Sequence, residues 1–284
     1  MSPGGSAYAV TIKTQPTNPS QTCVLAAGGG TLTAANVSNV VATCTIQPGR
    51  FAYVSGNDGI YCFAVDAVTG ALTALAGSPC DSRFQNGVAV DPSGTFAYAT
   101  LDTSNEVTAY AINNSTGQLT VIAGSTLNGG GANPLDITVD PSGQFVYMAN
   151  YGGGISAFTI NSGTGALTAV PGSPFSTVSA DGVNSVTVDP TGKFVYTAND
   201  RGNVSAFVID SSTGALTAVV GSPFPAGTVP QTVRVAPSGR YAYVTNLGSD
   251  NIWAYSINGS DGALTPIAGS PFPIVGLPPP QTGQ

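Results

Sequence analysis

Chemistry in this chain has to be done without histidine. The 284 residues carry seven Lys or Arg against fourteen Asp or Glu, and Glu106 is the single glutamate. Lack of His removes Ser-His-Asp and Cys-His nucleophilic sites, His-ligated metals and the side chain that titrates near neutrality. A general base must then be an aspartate, or a water that one activates. An oxyanion must be met by Arg, Lys, Asn or backbone amides. The catalytic candidates on these terms are Arg234, Asp200 and Arg201. Arg234, in QTVRVAPSG, stands where sister segments have Thr138 and Thr187, and Asp200 and Arg201 are neighbours in NDRGN. Arg83 is another basic residue out of pattern. An arginine close to several Asp and Asn side chains can hold a sugar acid or a phosphate.

The elements that carry these residues are repeats. TGALTALAGSPC (69–80), TGQLTVIAGSTL (116–127), TGALTAVPGSPF (164–175), TGALTAVVGSPF (213–224) and DGALTPIAGSPF (261–272) recur with their glycines 47 to 49 residues apart. Such a period marks a solenoid, an array or a propeller. Each unit has a second turn, DPSG at 91–94 and 140–143, DPTG at 189–192, APSG at 236–239, whose Pro and Gly suit a tight reversal. Between turns, short blocks of Val, Ile, Phe, Tyr and Thr favour strands, with no sustained helical period. The third unit predicts strand a over 135–140, b over 144–150, c over 154–161 and d over 166–171. Four short antiparallel strands repeated in this way spell β-propeller blades. The expected fold is therefore all-β, a propeller of five visible four-stranded blades over 41–272, with a β segment over 1–40 and a Pro-rich tail over 273–284. The first blade is expected to begin at ATCTIQPGRFAYVS, with CTIQPGR standing in for strand a.

The pattern VxVDPSGxFxYxAN followed by VSAFxIDxxTGALTxVxGSPF resembles the lactonase-type β-propellers, which include bacterial 6-phosphogluconolactonase and the surface-layer YVTN repeats. The likeness covers 41–272 and implies a propeller, usually of seven blades, and lactone hydrolysis as the family's chemistry. Five visible units imply either a five-bladed ring or a partial one, whose blade edges would be prone to pair with other chains. The fungal relatives are discussed in terms of a His and Arg constellation, and this chain cannot supply the His. Residues 1–40 resemble the last strands of small Cys-containing β-sandwich repeats of exported bacterial proteins.

In a propeller the b to c loops gather on one face around the channel mouth. Asn57, Asp58, Asp102, Asn150, Asn199, Asp200, Arg201, Asn246 and Asp250 fall there and are expected to form a ligand-binding rim, although Asn and Asp in loops also cap their own turns. Tyr98, Tyr147, Tyr196 and Tyr243 recur once per blade and are expected to pack between blades. Trp253, the sole indole, replaces Ser156 and Ser205 and is a candidate binding aromatic. Cys62 stands where other units have Ala157, Ala206 and Ala254, and Cys80 where they have Phe175, Phe224 and Phe272. Two departures in one blade point to a bond between them, which leaves Cys23 to pair with Cys44; four buried thiols are the alternative. No metal is expected, since neither CxxC nor DxDxDG occurs, and no cofactor motif is present.

Disulfides, 7% charged residues and a turn-rich composition point to an extracytoplasmic protein, in the periplasm, at the cell surface or secreted. MSPGGS has neither the basic nor the apolar region of a signal peptide, and no stretch reaches the length of a membrane span. Net charge −7 argues against nucleic acid as a partner and leaves a small sugar-derived ligand or another surface protein. Three functions stay open. The sequence favours a non-catalytic binding or surface-scaffold module; the resemblance implies a lactone hydrolase of the 6-phosphogluconolactonase type; the repeats also allow a self-assembling structural protein.

Overall fold

The computed structural model describes residues 7–9, 21–26, 29–31, 41–46, 50–56, 58–83, 85–177 and 182–274. Two compact units are defined, Met1–Ala52 with Phe63–Ala74, and Tyr53–Cys62 with Leu75–Gln284. In the first, β1 (Ala7–Ala9) pairs with β3 (Gly29–Thr31), and β2 (Gln21–Ala26) pairs with β4 (Val41–Ile46) in a register that sets Cys23 opposite Cys44. The side chains of Cys23 and Cys44 lie outside the described residues.

Five sheets follow. The first holds β5 (Arg50–Gly56), β6 (Gly59–Val65) and β7 (Leu72–Ala74). The second holds β8 (Val88–Val90), β9 (Phe96–Leu101), β10 (Glu106–Ile112) and β11 (Leu119–Val121), with β12 (Leu127–Asn128) on the free edge of β10. The third runs β13 (Pro134–Val139), β14 (Phe145–Asn150), β15 (Gly154–Ile160), β16 (Leu167–Ala169). The fourth runs β17 (Val183–Val188), β18 (Phe194–Asn199), β19 (Asn203–Ile209), β20 (Leu216–Ala218), with β21 (Phe224–Pro225) added to β19. The fifth runs β22 (Pro230–Val235), β23 (Tyr241–Asn246), β24 (Asn251–Ile257), β25 (Leu264–Pro266), with β26 (Phe272–Pro273) added to β24. These are the five blades the repeats spell, in the predicted a-b-c-d order. The first blade differs from expectation at strand a. The described partner of β4 is β2, and the first sheet has three described strands.

The repeated Asp-Pro turn works through its carboxylate. Asp140 Oδ1 accepts the amides of Gln144 (2.8 Å) and Phe145 (2.7 Å) while Oδ2 accepts that of Ser142 (3.0 Å), and Asp91 and Asp189 do the same in their blades. These bonds satisfy amides that the reversal takes out of the ladder and so fix where strand b begins. Strands β9, β14 and β18 are then buried on both faces, packed between neighbouring blades. Their tyrosines tie the joints: Tyr98 donates to the carbonyl of Gly165 (3.2 Å), Tyr147 to Gly214 (3.1 Å) and Tyr196 to Gly262 (3.0 Å), each on the next blade. Tyr53 donates likewise to Gly117 (2.8 Å). Tyr243 is the exception to the expected packing. Strand β23 alternates exposed and buried, and Tyr243 is 44% exposed.

Cys62 and Cys80 are bonded, as their departures from the repeat suggest. The disulfide takes the place of the alanine and phenylalanine of the other units and ties the c strand of the first blade to the link leaving it.

Candidate functional site

Strands β13, β17 and β22 lie side by side as the first strands of blades three, four and five. Each starts with an irregularity in register, between Pro134 and Asp136, Val183 and Ser185, Pro230 and Thr232. A bulge re-aims the side chain that follows it. Asp136 and Ser185 are those side chains, and a third residue, Arg234, reaches them from β22. Asp136 Oδ2 accepts from Ser185 Oγ (2.8 Å), the Val186 amide (3.2 Å) and Arg234 Nη1 (3.3 Å). The same Nη1 donates to Ser185 Oγ (2.9 Å) and to the Val233 carbonyl (2.8 Å). One chain of polar contacts thus crosses three blades.

The two charges are not sealed in. The Arg234 side chain is 56% exposed and that of Asp136 19%. Every contact of the guanidinium is made by Nη1, so Nε and Nη2 have no partner among the described residues. Asp136 Oδ1 accepts one bond, from the Ile137 amide at 2.9 Å, and keeps a lone pair. Exposed guanidinium donors therefore stand beside a partly exposed carboxylate that keeps acceptor capacity. An ion pair this exposed contributes on the order of 0–1 kcal/mol to folding, too little to account for its construction.

Arg83 is used differently. Its guanidinium donates to Asp81 Oδ2 (2.6 Å) and to Tyr110 (2.9 Å), and the Tyr110 hydroxyl also meets Asp81 (2.9 Å) and Gln85 (3.0 Å). Burial raises the pKa of Asp81, but bonds from the side chain and amide of Arg83 and from Tyr110 outweigh it and leave the carboxyl lowered. This closed knot anchors the link between blades one and two.

The expected rim separates into three groups. Asn150, Asn199 and Asn246 are buried and staple their own turns, Asn150 Nδ2 donating to Ser156 Oγ (2.8 Å) and the Gly154 carbonyl (3.2 Å), Asn199 Nδ2 to Asn203 Oδ1 (2.7 Å) and Ser205 Oγ (2.8 Å), Asn246 Nδ2 to Asn251 Oδ1 (3.0 Å). Asp58 is exposed and accepts from Tyr61 (2.7 Å), while Asp250 is exposed with φ 46°. Asp102 begins a 3-10 turn, Asp102–Ser104; its side chain and the whole of Asn57 lie outside the described residues.

Asp200 and Arg201 are the pair the loops bring together. With Gly202, Thr228, Ser249, Asn251 and Trp253 they line a cleft of about 460 Å³ between blades four and five. Trp253 stacks on Tyr255 with centroids 5.9 Å apart, and its buried Nε1 has no partner among the described residues. Asp200 accepts from Tyr151 of blade three at 3.2 Å. Arg234 is not among the cleft's lining residues. Among the described residues no group of three or more His, Cys, Asp or Glu could hold a metal ion, and no helix is long and apolar enough to cross a membrane.

Asp136 is the site residue that sequence reasoning missed. The signal was present, because the equivalent positions of blades two, four and five hold Gly87, Ser185 and Thr232, and a carboxylate stands out among them.

The chain matches the family Lactonase, 7-bladed β-propeller, over residues 11–127 and 155–273, and it belongs to that family. Among solved structures it is similar to a provisionally assigned 6-phosphogluconolactonase of Bacteroides uniformis, with 19% identity, TM-score 0.64, and coverage of 88% of this chain and 78% of that one. It is also similar to the periplasmic gluconolactonase of Pseudomonas aeruginosa, with 18% identity, TM-score 0.60, and coverage of 78% and 68%. A protein of Lactobacillus plantarum aligns with 19% identity and TM-score 0.61 over 84% of this chain and 74% of that one. At these identities the likeness is one of fold. No curated protein sequence matches.

Proposed function

We propose that this protein is an extracytoplasmic lactone hydrolase that opens a sugar-derived lactone at the Asp136–Ser185–Arg234 cluster. The observation that carries the reading is that chain of contacts across three blades, with an exposed guanidinium edge beside a partly exposed carboxylate. Family membership and the two lactonase-like folds support it. The disulfide and the periplasmic neighbour support the location, and an unphosphorylated aldonolactone suits that location better than a phosphorylated one.

The chemistry is undemanding. Sugar lactones hydrolyse slowly in water alone, so a positioned base and an anion clamp suffice. Asp136 Oδ1 takes a proton from a water whose oxygen attacks the lactone carbonyl carbon. Charge then builds on the carbonyl oxygen, where Arg234 Nε and Nη2 can meet it. Collapse breaks the ring C–O bond, and Asp136 returns the proton to the departing hydroxyl, leaving a sugar acid. Ser185 holds both charged groups and so positions them.

The test is hydrolysis of gluconolactone and 6-phosphogluconolactone above the spontaneous rate. Arg234→Ala is expected to lower kcat/KM about 100-fold or more, the usual effect of deleting an oxyanion donor. Wild-type protein that is folded and gives no rate above background with either lactone sinks the proposal. A second reading, a non-catalytic saccharide-binding module, is favoured by the cleft of Asp200, Arg201 and Trp253 with its unpartnered indole N–H. It expects Trp253→Ala to weaken saccharide binding in a protein that hydrolyses nothing.

A further inference from the structure

An asparagine followed by glycine is open to attack on its side-chain amide by the next backbone nitrogen, because glycine puts no Cβ in the way and leaves the backbone free to turn. The chain has three such pairs, Asn86–Gly87, Asn128–Gly129 and Asn258–Gly259. The first two are locked. Gly87 is buried, its amide donates to Thr100 Oγ1 (2.9 Å), and Asn86 Nδ2 donates to the Pro134 carbonyl (3.0 Å). Gly129 is buried, its amide donates to the Asn105 carbonyl (3.0 Å), and Asn128 is held in the sheet opposite Glu106. Asn258 and Gly259 are both exposed, and neither the Gly259 amide nor Asn258 Nδ2 has a partner among the described residues.

The same place in the other blades shows how loosely Asn258 is held. It opens the turn between strands c and d, a position filled by Asp66, Asn113, Asn161 and Asp210 in blades one to four. Asn113 Oδ1 accepts two amides, those of Ser115 (2.9 Å) and Thr116 (3.1 Å), and Asn161 Oδ1 accepts those of Gly163 (3.0 Å) and Thr164 (3.1 Å). Asn258 Oδ1 accepts one, from Ser260 at 3.0 Å. The following residue differs too, since Asn114 and Ser162 carry a Cβ where Gly259 has none. Exposure here does not rest on what flanks blade five. Asn161 and Asp210 are exposed at this same place in blades three and four, which have described neighbours on both sides.

We propose that Asn258 is a deamidation site, at which the folded protein converts its own asparagine through a cyclic imide to aspartate and isoaspartate. The Gly259 nitrogen bonds to Asn258 Cγ, the Cγ–Nδ2 bond breaks, and Nδ2 leaves as ammonia with the proton that the backbone amide gave up. Water then opens the ring. Addition at Cγ breaks the new C–N bond and gives aspartate on the original backbone. Addition at the main-chain carbonyl gives isoaspartate, with the chain running through the β-carboxyl. Either product adds one negative charge to a chain whose net charge is already −7. The turn suits the first product, since Asp66 and Asp210 hold this place and accept the amides of Val68 (3.0 Å) and Ser212 (2.9 Å) as Asn258 accepts that of Ser260. The second product lengthens the backbone by a methylene inside a turn closed by the Gly262 amide on the Asn258 carbonyl (2.8 Å), and so loosens the hairpin of β24 and β25. The lactone-hydrolase reading does not depend on this chemistry.

The test is peptide mapping by mass spectrometry on the full chain held at mildly alkaline pH, folded and in urea, with isoaspartate distinguished from aspartate. In the folded protein Asn258 is expected to react first, with Asn86 and Asn128 slower by about tenfold or more, because each must first give up hydrogen bonds to its neighbours. In urea the three pairs are expected to react at similar rates. Gly259→Ala has open space for its Cβ, so it is expected to keep the fold, checked by circular dichroism, and to slow the reaction at Asn258. Folded protein in which Asn258 stays intact overturns the inference. So does folded protein in which the three pairs react alike, or a folded Gly259→Ala variant that deamidates as fast as the wild type.

Discussion

In the joints, Tyr98, Tyr147 and Tyr196 make one contact three times, each hydroxyl on the glycine carbonyl of the next blade. On the inner strands, Asp136, Ser185 and Arg234 make one contact once, from positions where the repeat elsewhere places Gly87, Thr232 and Thr138 or Thr187. The same repeats thus hold two regions of different kind. Where the column of residues is uniform, the side chains are buried and hold blades together. Where it breaks into charge, they are open to solvent and contribute little to folding.

The difference is sharpest in substitutions along strand b. Tyr147→Ala empties a fully buried site and is expected to cost about 3–5 kcal/mol of unfolding free energy. Tyr243→Ala, at the half-exposed equivalent, is expected to change stability by no more than about 0.5 kcal/mol. Equal losses in urea melts of the two variants would break the distinction between the buried and the half-exposed tyrosine.

Not every broken column is a site of chemistry, and the disulfide marks that limit. Replacing Cys62 and Cys80 together by Ala is expected to cost about 3 kcal/mol, from the entropy returned to an unfolded chain no longer closed across 18 residues. Lactone hydrolysis by the folded double variant should be unchanged. A selective loss of turnover at full stability would assign the first blade a catalytic part.

A smaller effect belongs to the tyrosine hydroxyls. Burial pushes that of Tyr53 up to about 12 and raises those of Tyr98, Tyr147 and Tyr196 further, with nearby carboxylates adding to the last three. A group whose pKa is raised by folding contributes fully below its unfolded value and progressively less above it. Stability is therefore expected to hold up to pH 10 and to fall as the pH rises beyond it. Tyr147→Phe is expected to cost about 1 kcal/mol at neutral pH and to soften that alkaline fall. A stability that stays flat through pH 12 would contradict the assignment of these hydroxyls to the joints.

Much of the architecture was legible because it is repeated. Five copies of one turn and four of another fixed the strand order, and the Cys62 and Cys80 departures fixed a bond. The site was legible only in part. Arg234 was visible as a charge replacing threonine, but its partner Asp136 was hidden by attention to loops, since it lies within a strand and acts through a bulge that no sequence pattern marks. Asn150, Asn199 and Asn246 recur at the end of the b strands of blades three, four and five, and each staples its own turn. Tyr243 could not be told from Tyr147 by sequence, because the two hold the same place in the repeat and differ only in burial.

The most direct test of the inner-strand site is the hydrolysis of gluconolactone by wild-type protein, Asp136→Asn and Asp200→Asn, measured side by side against the spontaneous rate. The account predicts turnover by the wild type, a return to background for Asp136→Asn, and retained turnover for Asp200→Asn. Turnover that survives at Asp136→Asn and is lost at Asp200→Asn would contradict it and move the chemistry to the cleft between blades four and five.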